Sequence, residues 1–266
     1  MPTLSIITIN LNNHKGLLKT INSVISQTYT DYEWIVIDGG STDKSQELLE
    51  HHADRFAVCV SETDSGIYNA MNKGLSQAKG TWVQFLNSGD SLYQSNTLEE
   101  VFNINHNNVD ILYGDVCIET EKGCHIHHYP NEPSMSYFFK ETINHQCTFY
   151  RRSLFNDYRY NEQYTIVADW VALIQFLLKG AKFSYINLPI SRFDMNGISN
   201  KQYQKRKMER ERYLSLEFPS LVKLDIDKLM YYYDIQNRLY SHRTTSLLTK
   251  LTYVLLLKLE SLSSKK

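Results

Sequence analysis

Residues 5–49 read SIITINLNNHKGLLKTINSVISQTYTDYEWIVIDGGSTDKSQELL. An apolar run at residues 4–9 (LSIITI) and a second at 33–37 (EWIVI) have the length of buried strands. Between them Leu17, Leu18, Ile21, Val24 and Ile25 lie on one stripe of a helix predicted over residues 14–27. After the second run, Ser41 or Thr42 can cap a helix over residues 43–52. The alternation continues outward with a strand at 56–60, a helix at 67–78 ended by Gly80, and a strand at 82–86 (WVQFL). Strands separated by single helices at this interval predict parallel pairing with helical crossovers. Ligands of such sheets sit beyond the carboxyl ends of the strands.

The loops at those ends share a chemistry. They read Asn10-Leu11-Asn12-Asn13, Asp38-Gly39-Gly40-Ser41-Thr42-Asp43, Glu62-Thr63-Asp64-Ser65-Gly66 and Asn87-Ser88-Gly89-Asp90. One such loop is an ordinary turn, because Asp, Asn and Gly favour turns. Four in succession place Asp or Asn repeatedly at one rim and predict a binding site. Farther along the pattern is mixed, with strands expected at 109–116, 124–129 (paired with the former), 146–150 and 182–186, and a helix at 167–178.

A length of 266 residues with 42% hydrophobic content suffices for one large α/β domain with a helical appendix. The net charge of -1 supplies no global field for nucleic acid, and no nucleic-acid partner is expected. The first loop, NLNNHKG, holds neither GxGxxG nor GxxxxGK[ST], which speaks against a dinucleotide oxidoreductase or a P-loop enzyme. Cys59, Cys117, Cys124 and Cys147 form no CxxC pair. They are read as small core residues in a reducing compartment rather than as a disulfide or a metal site. The chain enters its first strand without a basic leader, and no apolar run reaches the roughly 18 to 20 residues that span a bilayer. A cytoplasmic location is therefore expected.

The fragments SIITINLN (5–12), VIDGGSTDKS (36–45), DSGIYNAMNKGL (64–75) and GTWVQFLNSGD (80–90), in this order, resemble the family 2 glycosyltransferases of the GT-A fold. A weaker likeness continues through HQCTFY (145–150), ADW (168–170) and FDMNGIS (193–199). The flavour is similar to that of enzymes that build bacterial surface polysaccharides. The resemblance implies an α/β GT-A (Rossmann-like) domain, a mostly parallel sheet flanked by helices, over residues 1–200. Its nucleotide-binding half would span 1–90 and its acceptor half 91–200, with a helical C-terminal extension at 201–266. It implies an inverting enzyme that uses Mn or Mg and moves a sugar from a nucleotide-sugar, a UDP-sugar, to a saccharide or lipid-linked saccharide acceptor.

The candidate residues follow. Asp38, after a buried strand and before two glycines, can accept the N3–H of uracil while the glycines admit a ligand to the backbone. Thr8 and Asn10 flank the same nucleotide. Asp64, Asn72 and Lys73 resemble the segment lining ribose and diphosphate, although a solvated Lys73 fits equally. The family usually carries an acidic DxD-type loop where this chain has Asn87-Ser88-Gly89-Asp90, so Asp90 is its one carboxylate. Asp90 either holds the metal with the diphosphate and water, or orients that shell, or leaves metal affinity weak. A non-catalytic carbohydrate-binding or scaffolding relative is the other reading this loop admits. Asp115 is an accessory ligand or acceptor contact. Asp169 matches the acceptor-side acidic motif and is the expected catalytic base, while a helix-start Asp stabilised by the helix dipole is the plain reading. Trp170 offers a sugar-stacking face or belongs to the core. His145 and Gln146 resemble an HQ element that touches diphosphate or sugar, or are structural. His125, His127 and His128 are read as a surface hairpin.

The run KRKMERER at 205–212 reads as a solvated helix face. Residues 244–262 carry a leucine stripe flanked by lysines and arginine, which suits peripheral contact with the inner face of a membrane or packing against a second subunit.

Overall fold

The computed structural model describes residues 1–104, 106–120, 123–194 and 202–241. The calls on residues 244–262, and most of FDMNGIS, lie outside these. The apolar runs become β1 (Leu4–Asn10), β2 (Tyr32–Asp38), β3 (Val58–Ser61) and β4 (Trp82–Phe85). They pair in parallel in the order β3-β2-β1-β4. Their crossovers are α1 (His14–Ile25), α2 (Ser45–His51) and α3 (Ile67–Gln77). Every residue of β1 and β4 is buried, as an apolar strand covered on both faces must be. A Cβ on Gly74 of α3 would stand 2.4 Å from Ile7 Cγ2, so the glycine sets how closely this helix lies on the sheet.

β3 is the edge strand, and Cys59 on it is exposed. This corrects the reading of Cys59 as a core residue: an apolar run at an edge is covered on one face only.

The second half contains β5 (Ser91–Leu92), α4 (Thr97–Phe102), β6 (Ile111–Thr120), β7 (Gly123–His127), α5 (Met135–Lys140), β8 (Thr148–Arg151), α6 (Ala168–Leu178) and β9 (Phe183–Asp194). Here the pairing is mixed. β8 runs antiparallel between β4 and β6, β9 runs parallel to β6, and β5 and β7 add antiparallel partners. The whole sheet has the order β3-β2-β1-β4-β8-β6-β9-β5, with β7 on β6.

The β6–β7 hairpin bears the expected surface histidines, and it also joins Cys117 to Cys124 in a disulfide with Cα atoms 5.7 Å apart. This corrects the reading of these two cysteines as isolated thiols. The register that brings them together, Glu119 opposite Cys124, follows from the turn and not from Cys spacing. Cys147 is buried, as expected.

α6 is buried along most of its surface through Trp170, Val171, Ala172, Leu173, Ile174 and Phe176. Val171, Leu173, Ile174 and Phe176 each contribute about 1.5–3 kcal/mol on burial. The helices α7 (Tyr203–Glu217) and α8 (Ser220–Ser241) follow. The chain divides into compact units Met1–Tyr213 and Leu214–Lys266, so the first unit takes in the start of α7, beyond residue 200. Among the described residues no helix is long and apolar enough to cross a membrane.

Candidate active site

The polar rim forms at the carboxyl ends of β1, β2 and β4. Asp38 closes β2 with no exposed surface. Its Oδ1 accepts from Asn10 Nδ2 (2.8 Å) and Ser41 Oγ (2.5 Å), and its Oδ2 from Ser41 N (2.9 Å) and Ser61 Oγ (2.7 Å). Burial pushes the Asp38 carboxyl up, but the donors on Ser41, Ser61 and Asn10 outweigh it and hold the group below the ordinary carboxylate range. Asp38 and Asn10 thus organise the loop and do not present free edges to open space. Asn12 and Asp43 continue the lattice, for Asn12 Oδ1 accepts from Thr42 N and Asp43 accepts from His14 N and Ser45 N. Thr8 is corrected as a nucleotide contact: its side chain is in the core, accepting from Trp34 Nε1 at 3.0 Å.

Asp64 stands over this loop. Its Oδ1 accepts from Gly66 N at 2.9 Å, and its Oδ2 lies 2.6 Å from where a Cβ of Gly39 would be. The glycine therefore admits the Asp64 carboxylate to the end of β2. Lys73 pairs with Glu62 at 2.6 Å, in the loop after β3. The Asn72 amide meets the backbone of Tyr160, donating to the carbonyl and accepting from the N–H, both at 2.9 Å, and also donates to Glu162 Oε1 at 3.1 Å.

The Asn87–Asp90 loop extends β4 beside the end of β1, with Ser88 N donating to Ile9 O at 3.0 Å. Thr20, buried on α1, holds the loop from beneath. Its hydroxyl donates to Asp90 O (2.6 Å) and accepts from Gly89 N (3.1 Å), whose φ of +108° suits glycine alone. Asp90 is 8% exposed. Among the described residues no three His, Cys, Asp or Glu side chains converge as a metal set. The donor set at Asp90 fits a hard divalent ion only if phosphate oxygens complete the shell.

The acceptor half contributes Asp169, at the start of α6. Its Oδ1 accepts from Trp170 N (2.9 Å) and lies 2.9 Å from the Tyr68 hydroxyl, and its Oδ2 is 3.1 Å from His145 Nδ1. His145 Nε2 in turn is 3.0 Å from Asn87 Nδ2. The His145 and Asp169 side chains are 19% and 18% exposed, so this pair touches the surface while its neighbours are covered. Burial raises the Asp169 pKa, but His145 and Tyr68 outweigh it and hold the carboxyl low. Burial lowers that of His145, but the hydrogen bond and charge of Asp169 prevail, with Asp90 adding, and hold it above the ordinary imidazole value. Asp169 and the loop of Asn87 and Asp90, distant in sequence, therefore meet at one histidine.

Burial places three further residues of the sequence reading inside the protein. Trp170 is 1% exposed with Nε1 donating to the Phe138 carbonyl, so it is core and not a stacking face. Gln146 is 1% exposed and its side-chain amide lies inside the protein. Asp115 is 1% exposed and braces the hairpin, accepting from Tyr129 N (3.1 Å) and Tyr185 OH (2.9 Å) beside His128 Nδ1 (2.6 Å).

The sequence reading also missed residues. Tyr68 lay inside a recognised fragment and Thr20 on the helix predicted over 14–27, neither singled out, and Asn87 was read only as part of the loop where the family usually carries acidic residues. Glu209 lies in the run read as a solvated face, yet its Oε1 accepts from Thr165 N (3.0 Å) and Oγ1 (2.8 Å) and its Oε2 from Ile166 N (2.9 Å) and Val167 N (3.3 Å). Its neighbour Arg210 donates to Lys140 O at 3.0 Å and stacks over Trp170 at 4.8 Å. That run is thus partly an inward face of α7.

A family model described as Glycosyl transferase family 2 matches residues 5–161. The PGL/p-HBAD biosynthesis glycosyltransferase Rv2957 of Mycobacterium tuberculosis is 33% identical over 217 residues, covering 79% of this chain and 84% of the relative. Glycosyltransferase AglE of Haloferax volcanii is 31% identical over 121 residues, 44% of this chain and 40% of the relative. Among solved structures, S. aureus TarS 1-349 in complex with UDP superposes with a TM-score of 0.61 at 20% identity, covering 94% of this chain and 78% of that one. The mannosyltransferase PcManGT from Pyrobaculum calidifontis, in complex with GDP-Man and Mn2+, gives 0.64 at 13% identity, covering 100% and 81%.

Proposed function

Because this chain belongs to glycosyl transferase family 2, we propose that it transfers a sugar from a UDP-sugar to an acceptor hydroxyl with inversion at the anomeric carbon. The observation that carries the reading is the meeting of the two halves: His145 stands 3.1 Å from the helix-start carboxylate Asp169 and 3.0 Å from Asn87, on the loop that carries Asp90. A leaving diphosphate and an attacking hydroxyl need such an arrangement, with charge neutralisation on one side and a proton acceptor on the other.

In this reading the base lies against the loop after β2. Asp64 supplies an accessible acceptor there, and Asp38 holds the floor. Asp90 would hold a divalent ion, Mn or Mg, which when bound supplies charge neutralisation on the diphosphate. Asp169 takes the proton of the acceptor hydroxyl as its oxygen attacks. The inward-held pair of Asp169 and His145 keeps that carboxylate ionised and oriented before the acceptor arrives. The acceptor is a saccharide or lipid-linked saccharide, and contact with a membrane surface belongs to the same proposal.

A thermal-shift panel of UDP, GDP, TDP and NAD, each with and without Mn, tests it. A stabilisation by UDP that grows with Mn is the expected result. A shift with GDP or TDP instead moves the donor class. No shift with any diphosphate favours a non-catalytic relative, which the amide at position 87 and the glycine at 89 would then explain.

A further inference from the structure

His145 sits in the short turn before β8 and faces two elements far from it in sequence. Toward α6 its Nδ1 is 3.1 Å from Asp169 Oδ2, and toward the donor loop its Nε2 is 3.0 Å from Asn87 Nδ2. A carboxylate oxygen accepts and an amide nitrogen donates. With the Asn87 nitrogen toward the ring, these partners select one tautomer of the neutral imidazole: Nδ1 carries the proton and gives it to Asp169, and Nε2 is bare and accepts from Asn87. The chain Asn87–His145–Asp169–Tyr68 is continuous, with Tyr68 OH 2.9 Å from the other oxygen of Asp169. It begins on the loop that carries Asp90 and ends on α3.

The amide at position 87 has a particular consequence. Its Oδ1 is buried without a partner among the described residues. A carboxamide can meet an imidazole with either end. With its nitrogen toward Nε2 it suits the neutral ring, and with its oxygen toward Nε2 it suits the protonated one. An acidic residue here would hold the ring in the charged form alone. Asn87 accepts both, and turning it exchanges the group aimed away from His145.

We propose that His145 is a positioning residue that couples the donor loop to the base: Asn87 sets its tautomer, and its Nδ1–H holds the Asp169 carboxylate in the orientation that receives the acceptor proton. The proposal rests on the glycosyltransferase reading and deepens it, since it explains how occupancy of the donor loop reaches a carboxylate on another element. His145 itself needs to touch neither sugar nor diphosphate.

The test is long-range proton–nitrogen NMR of the full chain labelled with 15N-histidine, with the His145 signals identified by their loss in His145→Asn. The probe is UDP with Mg2+. The expected spectrum of the neutral ring shows Nδ1 protonated, against the Nε2–H form that free histidine favours, and UDP with Mg2+ shifts the Nε2 resonance. In Asn87→Ala the ring moves toward the Nε2–H form. A wild-type ring already in the Nε2–H form overturns the proposal, and so does a His145 signal that stays still while UDP raises Tm. No change of Tm with any nucleoside diphosphate overturns the transferase reading, and the coupling with it. In turnover, His145→Asn, which keeps an amide donor at the δ position, should retain most of kcat. His145→Leu should lose about 10–100-fold in kcat with little change in donor KM. Equal loss in both variants means that the role is packing alone and overturns the proposal.

Discussion

The two halves of the rim are built differently. At the ends of β1 and β2 most of the polar groups satisfy one another: Asn10 Nδ2, Ser41 and Ser61 all donate to the buried Asp38 carboxylate, and Asn10 Oδ1 is the one buried side-chain atom of this set without a partner among the described residues. At the end of β4, the start of β8 and the start of α6 the polar groups come from distant parts of the chain. Several buried atoms there, Asn87 Oδ1, Gln84 Oε1, Tyr150 Oη and the Gln146 amide, have no partner among the described residues. The first region is a finished platform. The second is a junction held by few bonds and able to rearrange, which suits the side of a site where a proton must move.

The largest effect that would sharpen this contrast is on chemistry. Asp169→Asn should lower turnover by about 10²–10⁴-fold while leaving the UDP-induced thermal shift nearly intact. UDP release from a UDP-sugar beside a binding titration decides it, and retained turnover removes Asp169 as the base.

Next comes the platform. Asp38→Ala strands the donors of Asn10, Ser41 and Ser61 and should cost on the order of 3 kcal/mol in urea unfolding. A loss confined to nucleotide affinity would break the comparison, since Asp38 would then be a ligand and not a brace. The same residue gives a pH signature. Its pKa is lower in the folded chain, so its contribution to stability is complete above the unfolded carboxylate value near pH 4 and fades as pH falls through the folded one. Asp38→Asn should flatten that acid limb of the stability curve.

The smallest effect concerns the approach to the base. Glu209→Ala should cost about 1–2 kcal/mol, as loss of a helix cap does, and lower kcat more than donor affinity. An equal fall in both would mean that Glu209 supports the fold as a whole.

What could be read in the sequence follows the same division. The strands and helices of the first half were legible because their signals are local: an apolar run, a stripe, a turn loop. The Asn87–Asp90 loop and Asp169 were legible as candidates through resemblance. Their meeting at His145 was not, because β8 enters the sheet antiparallel between β4 and β6 and no periodicity announces that. Trp170, Gln146 and Asp115 misled for a related reason: polar or aromatic type suggests a contact, but which face of an element is covered depends on its neighbours. The Cys117–Cys124 bridge likewise depends on hairpin register.

The hold of Glu209 on the N–H groups of residues 165–167 bears on which parts of such chains are interchangeable. A chimera spliced at residue 200 would bring a foreign side chain to the threshold of the helix that carries Asp169, and one spliced after Tyr213 would not. The natural seam for exchanging tails among relatives is therefore inside α7, where a splice leaves the threshold of the catalytic helix intact.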